Sequence, residues 1–169
     1  LPMGKSSLVC SCGAMDCLNV HASGWSVLAS LGRIDSQSYK TKDNELYAGA
    51  MIELLAENPD RDTPEGEALF QAGWCLGRAL RIVSLIMDPQ AIVLAGKLAE
   101  SSAYVGGCKA ALSELSAEQP HKMPALMVGS VTALQAAGFL ALDSFLYSPQ
   151  LDIDGLFSGA TPSNPATAS

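Results

Sequence analysis

Apolar residues recur at helical spacing through the first half of the chain, and this pattern predicts its secondary structure. A first helix is expected over residues 18–31, with Gly32 at its end. A second helix is expected over residues 46–56, with Pro59 as the residue that stops it. The longest pattern, over residues 68–87, carries a continuous apolar stripe that is typical of a helix packed against a core.

The residues before the longest helix combine a capping signal with many acidic side chains. Thr63 is expected to cap the helix, and Pro64 suits its first position. Five carboxylates lie within residues 57–67, and such a cluster could form a metal site or an acid/base site. The favoured interpretation is a solvated loop followed by an acidic first turn, because carboxylates stabilise the positive end of a helix dipole. Asp88-Pro89 is expected to end the helix.

The second half of the chain alternates short apolar runs with helical patterns. The β-branched run 91–95 predicts a buried parallel strand, and residues 125–129 predict a second strand. Helices are expected over residues 100–115 and 132–147, the first of them broken or delayed by Gly106-Gly107. This strand–helix–strand–helix order is typical of half of a parallel α/β sheet with a right-handed crossover.

Gly96 and Lys97 follow directly after the first predicted strand. Ligands of open α/β sheets bind beyond the carboxyl ends of the strands, so this turn is a candidate binding position. It does not match a phosphate-binding P-loop, because Ala91 and Leu98 stand where that motif needs a glycine and a hydroxyl residue.

Composition and charge narrow the classes of function. The 169 residues are enough for one domain or one lobe, and the mean hydropathy of +0.22 favours a folded chain. The net charge of −7 argues against nucleic-acid binding by this chain itself, because a phosphate backbone attracts a basic surface. We expect no membrane span and no signal peptide, since no run of 18 apolar residues is present and residues 1–9 are too short and mixed for a leader. The cytoplasm is the expected compartment, because it keeps cysteines reduced. Residues 149–169 are polar and are expected to form a disordered tail.

The chemistry-bearing stretch is Cys10-Ser11-Cys12-Gly13-Ala14-Met15-Asp16-Cys17, which holds three of the five cysteines. Three thiolates in one polar turn favour a soft metal ion, and Zn²⁺ is the usual one. The glycine suits a loop that wraps an ion, because it adopts positive φ without strain. A disulfide is the alternative interpretation of cysteines so close together, although the chain does not resemble a secreted, disulfide-stapled scaffold.

A closed structural zinc site needs four ligands, and the cysteines supply three. His21 is a candidate for the fourth, because it lies four residues after Cys17 and shares its helix face. The alternative is that His21 is an ordinary surface or half-buried helix residue.

Three segments of the sequence resemble the ROK family (repressors, open reading frames and sugar kinases). Residues 10–19 resemble the family's zinc motif, Cys-x-Cys-Gly-x-x-Gly-Cys-x-Glu. Residues 88–96 resemble its Asp-Pro-Glu-x-Ile-Val-Leu-Gly-Gly segment, and Ala136-Ala137-Gly138 resembles a late helix start built from small residues. The resemblance extends in matching order from residue 1 to about residue 148.

The resemblance implies an α/β fold of the actin/hexokinase-like (ribonuclease H-like) type. Residues 1–148 would form most of its helix-rich C-terminal lobe, with a structural Zn²⁺ bound by the loop 10–17. The fourth ligand would be the His of a Glu-x-Gly-His motif just before Leu1. The phosphate loop and the catalytic Asp of a sugar kinase would also lie upstream, so the chain resembles a fragment that could not act alone as a kinase.

Three departures from the family pattern bear on function. Asn19 stands where the family has a sugar-binding Glu, and Asp16 stands where it has a glycine. Ala95-Gly96-Lys97 replaces a glycine-rich turn near the nucleotide, and backbone close to a nucleotide tolerates Cβ atoms poorly. These departures weaken both ends of a kinase site.

The first function hypothesis is therefore the sugar-sensing and dimerisation part of a ROK-type transcriptional regulator. Its effector would be a sugar or sugar phosphate, it would form a homodimer, and DNA would be bound only by an N-terminal segment that this sequence lacks. The alternative is the C-terminal lobe of an ATP-dependent, glucokinase-like sugar kinase, with Gly96 and Lys97 near the ATP. A third hypothesis is a zinc-stabilised interaction module without a ligand.

Overall fold

The computed structural model describes residues 9–10, 12–35, 44–57, 59–118, 124–129 and 133–145. The chain divides into two compact units, residues 1–130 and residues 131–169. The described elements of the first unit are α1 (Asn19–Ala22), α2 (Gly24–Ser30), α3 (Asn44–Ala56), α4 (Pro64–Met87), β1 (Ala91–Leu94), a 3-10 helix (Lys97–Glu100), α5 (Ser102–Glu118) and β2 (Ala125–Val128). The described part of the second unit is α6 (Ala133–Phe145). The architecture is helix-rich with a small sheet. The predicted boundary at residue 148 and the predicted tail lie outside the described residues.

The prediction of one helix over residues 18–31 is wrong, because Ser23 divides it into α1 and α2. Ser23 is extended, with φ −84° and ψ 157°, and its hydroxyl oxygen accepts a hydrogen bond from the Ser26 backbone N–H at 3.2 Å. A serine in this conformation is a helix N-cap, so α2 begins at Gly24 as a separate helix. Gly32 follows the last turn with φ 68°, as predicted for the end of this segment.

The predicted ends of the longest helix are confirmed. The hydroxyl oxygen of Thr63 accepts a hydrogen bond from the Gly66 N–H at 3.1 Å, and Pro64 is the first residue of α4. At the other end Asp88 is left-handed, with φ 45°, and its N–H bonds the Ser84 carbonyl. The helix therefore starts and stops where its capping residues satisfy the free backbone groups.

The backbones of α4 and α5 lie in close contact, and glycines make this possible. A Cβ atom on Gly77 would lie 2.6 Å from the Cys108 carbonyl oxygen. A Cβ atom on Gly107 would lie 2.7 Å from the Trp74 backbone nitrogen, and one on Gly73 would overlap the Tyr104 carbonyl. A side chain at any of these positions would force the helices apart.

The predicted break at Gly106-Gly107 is wrong, because α5 runs through both glycines without interruption. Glycine has low helix propensity, but packing against a neighbouring helix overrides that preference. Here Gly107 faces α4, so the residue that was expected to break the helix is the one that lets it approach its partner.

The two predicted strands pair in parallel, with Ala91 opposite Ala125 and Leu94 opposite Val128. Leu94 is buried, whereas Val93 on the opposite face is 60% exposed. One face of the sheet therefore joins the hydrophobic core, whose fully or nearly buried members come from α2, α3, α4 and α5 and include Val27, Leu28, Met51, Leu54, Leu69, Ala72, Tyr104 and Cys108.

Among the described helices, α4 is long and apolar enough to cross a membrane by length and composition alone. That test is weak for a single helix, because core helices of globular proteins also pass it. The first part of α4 packs against the core and α5 and buries Leu69, Ala72 and Ala79, whereas Ile82, Leu85, Ile86 and Met87 near its end are exposed.

The acidic stretch before α4 is paired with Arg33, which follows α2. The Arg33 guanidinium donates two hydrogen bonds to the Glu57 carboxylate, at 3.1 and 2.8 Å, and lies 3.4 Å from Glu65. Arg33 thereby holds the pKa of Glu57 below its ordinary value. This arrangement agrees with the interpretation of the stretch as a solvated loop and acidic first turn.

Replacement of Gly107 by alanine tests the close approach of α4 and α5. We expect Gly107→Ala to lower the free energy of unfolding by about 1–3 kcal/mol, because the new methyl group meets backbone that cannot move aside. Gly49→Ala is the matched control, since a Cβ atom at Gly49 in α3 meets no atom within 4 Å. That variant should be neutral or more stable by up to about 1 kcal/mol. Equal effects of the two variants in urea unfolding would contradict the packing argument.

The Arg33–Glu57 pair predicts a pH dependence with a definite sign. A carboxyl group whose pKa is lower in the folded chain stabilises it above the unfolded pKa of about 4.3, and this stabilisation is lost as the pH falls through the folded pKa. We expect wild type to exceed Glu57→Gln in stability near neutral pH, by a small amount because the pair is exposed. The difference in urea midpoints should shrink below about pH 4. A difference that is constant with pH would contradict the pairing.

Candidate metal centre

The cysteine loop is a short hairpin held by its own backbone. Val9 and Met15 form an antiparallel bridge, and the Cys10 N–H donates to the Ala14 carbonyl at 2.9 Å. The Gly13 N–H donates a hydrogen bond to the Cys10 carbonyl at 2.9 Å. Gly13 has φ 84°, so the glycine of the motif occupies the left-handed conformation expected for it. The turn brings the residues on both sides of it together.

The loop gathers the three predicted thiols. The Sγ atoms of Cys10, Cys12 and Cys17 all lie within 4.8 Å of one another, and those of Cys12 and Cys17 are 3.3 Å apart. Sulfur ligands at about 2.3 Å from a tetrahedral zinc ion lie about 3.8 Å from each other, which falls between these values. Cys10 is buried, Cys17 is half-buried and Cys12 is exposed. The group can hold a metal ion, and thiolate donors suit zinc.

The neighbouring thiols raise the affinity of Cys17 for its proton. The pKa of Cys17 is raised to about 11, first by its hydrogen bond with the Cys12 thiol and then by partial burial and the neighbouring Cys10. A bound cation has the opposite effect, because a coordinated thiol is deprotonated. Metal binding at this loop therefore releases protons.

Asp16 occupies the position where the similar family motif has a glycine, and its backbone conformation shows how an aspartate fits there. Asp16 has φ 58°, a left-handed conformation that aspartate tolerates better than most residues. The residue is buried, and its carboxylate Oδ1 lies 3.3 Å from His21 Nε2. The loop keeps the glycine-like turn, so this departure does not disturb the convergence of the thiols.

His21 is placed beside Asp16 and is not among the ligand atoms gathered within 4.8 Å of one another. Its role as a fourth ligand stays a prediction. The sequence singled out Asp16 only as a departure from the motif's glycine, and its left-handed backbone and its contact with His21 are visible only in the structure. The one available signal was an acidic residue at a motif position that requires positive φ.

The short helix α1 attaches the metal loop to the core. Its Val20 N–H donates to the Cys17 carbonyl at 3.0 Å, and the Val20 side chain is buried. The Tyr104 hydroxyl, carried by α5, donates to the Ala22 carbonyl at 2.9 Å. Burial raises the pKa of Tyr104, which keeps the hydroxyl protonated as a donor. One hydrogen bond across 82 positions of sequence thus fixes the end of α1.

The other predicted site residues lie at the ends of elements. Asn19 is the exposed first residue of α1, two positions after Cys17. Gly96 follows β1 with φ 95° and ψ 179°, a conformation that favours glycine. Lys97 is exposed and donates to the Glu100 carboxylate at 3.1 Å. The sugar-binding role of Asn19 and the nucleotide-binding role of Gly96 and Lys97 stay predictions.

The thiol group predicts the outcome of a single-ligand substitution. We expect Cys12→Ser to lose most of the zinc that copurifies with the reduced protein and to lower its thermal midpoint, because metal binding contributes folding free energy. Metal analysis and thermal unfolding measure the two effects. Cys75→Ser, on α4 and outside the loop, should retain metal and midpoint. Unchanged zinc content and midpoint in Cys12→Ser would contradict the assignment.

Comparison with known proteins identifies the family of this chain. The model of the family described as the ROK family matches residues 1–141, which include the metal loop, α4, α5 and both strands. No curated protein and no solved structure matches the chain. A family match over most of the chain, together with the converging cysteines, shows that this chain belongs to the ROK family.

Proposed function

We propose that this chain is the sugar-sensing and dimerisation part of a ROK-type transcriptional regulator. The proposal rests on the position of Asn19 in the structure. It is exposed at the start of α1 and is tied to the metal loop through Cys17, so a zinc ion in that loop would hold it in place. An amide both donates and accepts hydrogen bonds to sugar hydroxyls, but it lacks the charge-assisted bond of the family's Glu. A sensor needs affinity for the sugar and no catalysis.

The cysteine loop has a supporting role in this proposal. Zinc bound there would supply no chemistry and would only brace the loop. Cys10, Cys12 and Cys17 would be ligands, and the contact of Asp16 with His21 would orient the turn before α1.

A cavity beside α1 has room for a small molecule. A cavity of about 390 Å³ lies between α1–α2 and α4, within the range of about 300–1,000 Å³ usual for ligand pockets. Its lining is mostly apolar and includes Val20 and Ala72, and its polar members include His21, Ser30 and Gln71. The volume would admit a ligand of hexose size, and Asn19 is not among the residues that line this cavity.

The net charge of this chain supports DNA binding by a different segment of the protein. A net charge of −7 repels a phosphate backbone, so DNA binding would come from a segment outside this sequence. We propose that the chain contributes sugar or sugar phosphate recognition and a homodimer contact in the cytoplasm. The actin/hexokinase-like fold implied by the family would supply the scaffold for both.

One observation favours the alternative, the C-terminal lobe of an ATP-dependent sugar kinase. Gly96 retains positive φ at the carboxyl end of β1, where a nucleotide would bind in an open α/β sheet. Against it, Lys97 pairs with Glu100, and Ala95 places a methyl group in the turn. The catalytic Asp of a kinase would have to come from outside this chain.

Calorimetry of the full-length protein with a panel of hexoses, with and without ATP, tests the proposal. We expect one hexose to bind without ATP turnover, and Asn19→Ala to weaken its binding about tenfold or more, the equivalent of one lost hydrogen bond of about 1.4 kcal/mol. Gln90→Ala, which removes an exposed amide before β1, is the matched control and should bind as wild type does.

Three results would count against the sensor. Turnover of ATP with a sugar would establish the kinase. Binding that is unaffected in Asn19→Ala would remove the residue on which the proposal rests. A zinc-containing protein that binds neither sugar nor ATP would favour an interaction module.

A further inference from the structure

Two of the three clustered thiols are placed for a reaction with each other. The Sγ atoms of Cys12 and Cys17 are 3.3 Å apart, about 1.3 Å longer than a disulfide bond. Cys12 is exposed, whereas Cys10 is 6% exposed and shielded by the hairpin. A small oxidant from solvent therefore reaches Cys12 first, and Cys17 is the neighbour within reach of the oxidised sulfur.

We propose that the loop is a peroxide-sensitive switch, in which Cys12 and Cys17 form a disulfide and release the metal. The inference rests on metal binding by the loop and is independent of sugar recognition and of the choice between regulator and kinase.

The chemistry balances with hydrogen peroxide as the oxidant. The Cys12 thiolate attacks one peroxide oxygen, the O–O bond breaks, and hydroxide leaves as Cys12 becomes a sulfenic acid. The Cys17 thiolate then attacks the Cys12 sulfur, the S–S bond forms, and the S–O bond breaks with loss of a second hydroxide. Two protons convert the hydroxides into water. The two sulfurs together lose two electrons, and the peroxide gains them.

The bridge would change the loop in a way that the rest of the fold tolerates. It would leave Cys10 as the one remaining thiolate of the three, which is too few donors for a zinc site. The loop lies at the surface, where Cys12 and Gly13 are both exposed. The end of α1 would still be held by Tyr104.

The other two cysteines differ from this pair and provide an internal comparison. Cys75 is half-buried on α4, and Cys108 is fully buried on α5. Neither sulfur belongs to the group of three that converges in the loop, and burial shields the Cys108 thiol from an oxidant in solvent. Selective oxidation within the loop is therefore expected.

The test uses reduced, zinc-containing full-length protein treated with a slight excess of hydrogen peroxide. A chelating dye follows zinc release, and mass spectrometry after alkylation and Asp-N digestion locates the bridge. Asp-N cuts before Asp16, which separates Cys17 from Cys10 and Cys12 unless a disulfide joins them. Cyanogen bromide would be less suitable, because peroxide also oxidises the exposed Met15.

We expect release of the bound zinc in step with a bridged fragment that spans Asp16, and recovery of binding after dithiothreitol and zinc are added. Cys10→Ser should still form the bridge, whereas Cys17→Ser should not. Cys75→Ser should behave as wild type.

Several results would overturn the proposal. One is a reduced protein that contains no zinc, and another is zinc that is retained after oxidation. A bridge that includes Cys10, or zinc release with sulfinic acid at Cys12 and no bridge, would equally contradict it. If the reduced protein binds sugar normally but shows none of the expected oxidation, this inference is wrong and the proposed function is unaffected.

Discussion

The close approach of α4 and α5 is the constraint on which the rest of the structure depends. Gly73 and Gly77 on one helix and Gly107 on the other let the two backbones meet, with carbonyls of Tyr104 and Cys108 facing the glycines. This contact sets the position of α5, and α5 carries Tyr104. The Tyr104 hydroxyl then reaches the Ala22 carbonyl and fixes α1, on whose first residues the metal loop depends.

The metal loop itself has little apolar burial to hold it. It is a hairpin of a few backbone hydrogen bonds with two left-handed residues, Gly13 and Asp16. Val9 and Met15, which form its bridge, are both exposed. A structure of this kind gains most of its rigidity from ligand bonds, which is how small metal sites stabilise folded chains. The same dependence makes the thiols a point at which oxidation can act on the loop.

The sequence predicted the elements whose pattern is strongly periodic and the site whose residues are adjacent. The caps of α4, the parallel pair of strands and the clustering of Cys10, Cys12 and Cys17 follow from local chemistry. Ser23 escaped prediction, because apolar periodicity continues across it and hides a helix cap. At Gly106-Gly107 the sequence predicted a break that the structure does not have. Helix propensity alone favours a break at a glycine pair, but packing against α4 keeps α5 continuous.

The central claim is that three thiolates of one loop hold a zinc ion. X-ray absorption at the zinc edge of the reduced full-length protein tests it most directly. We expect about three sulfur ligands at roughly 2.3 Å and one lighter donor. A Cys12→Ser sample should show about two sulfur ligands or no ordered zinc site. A zinc shell of nitrogen and oxygen alone in the wild-type protein, or protein without zinc, would contradict the claim.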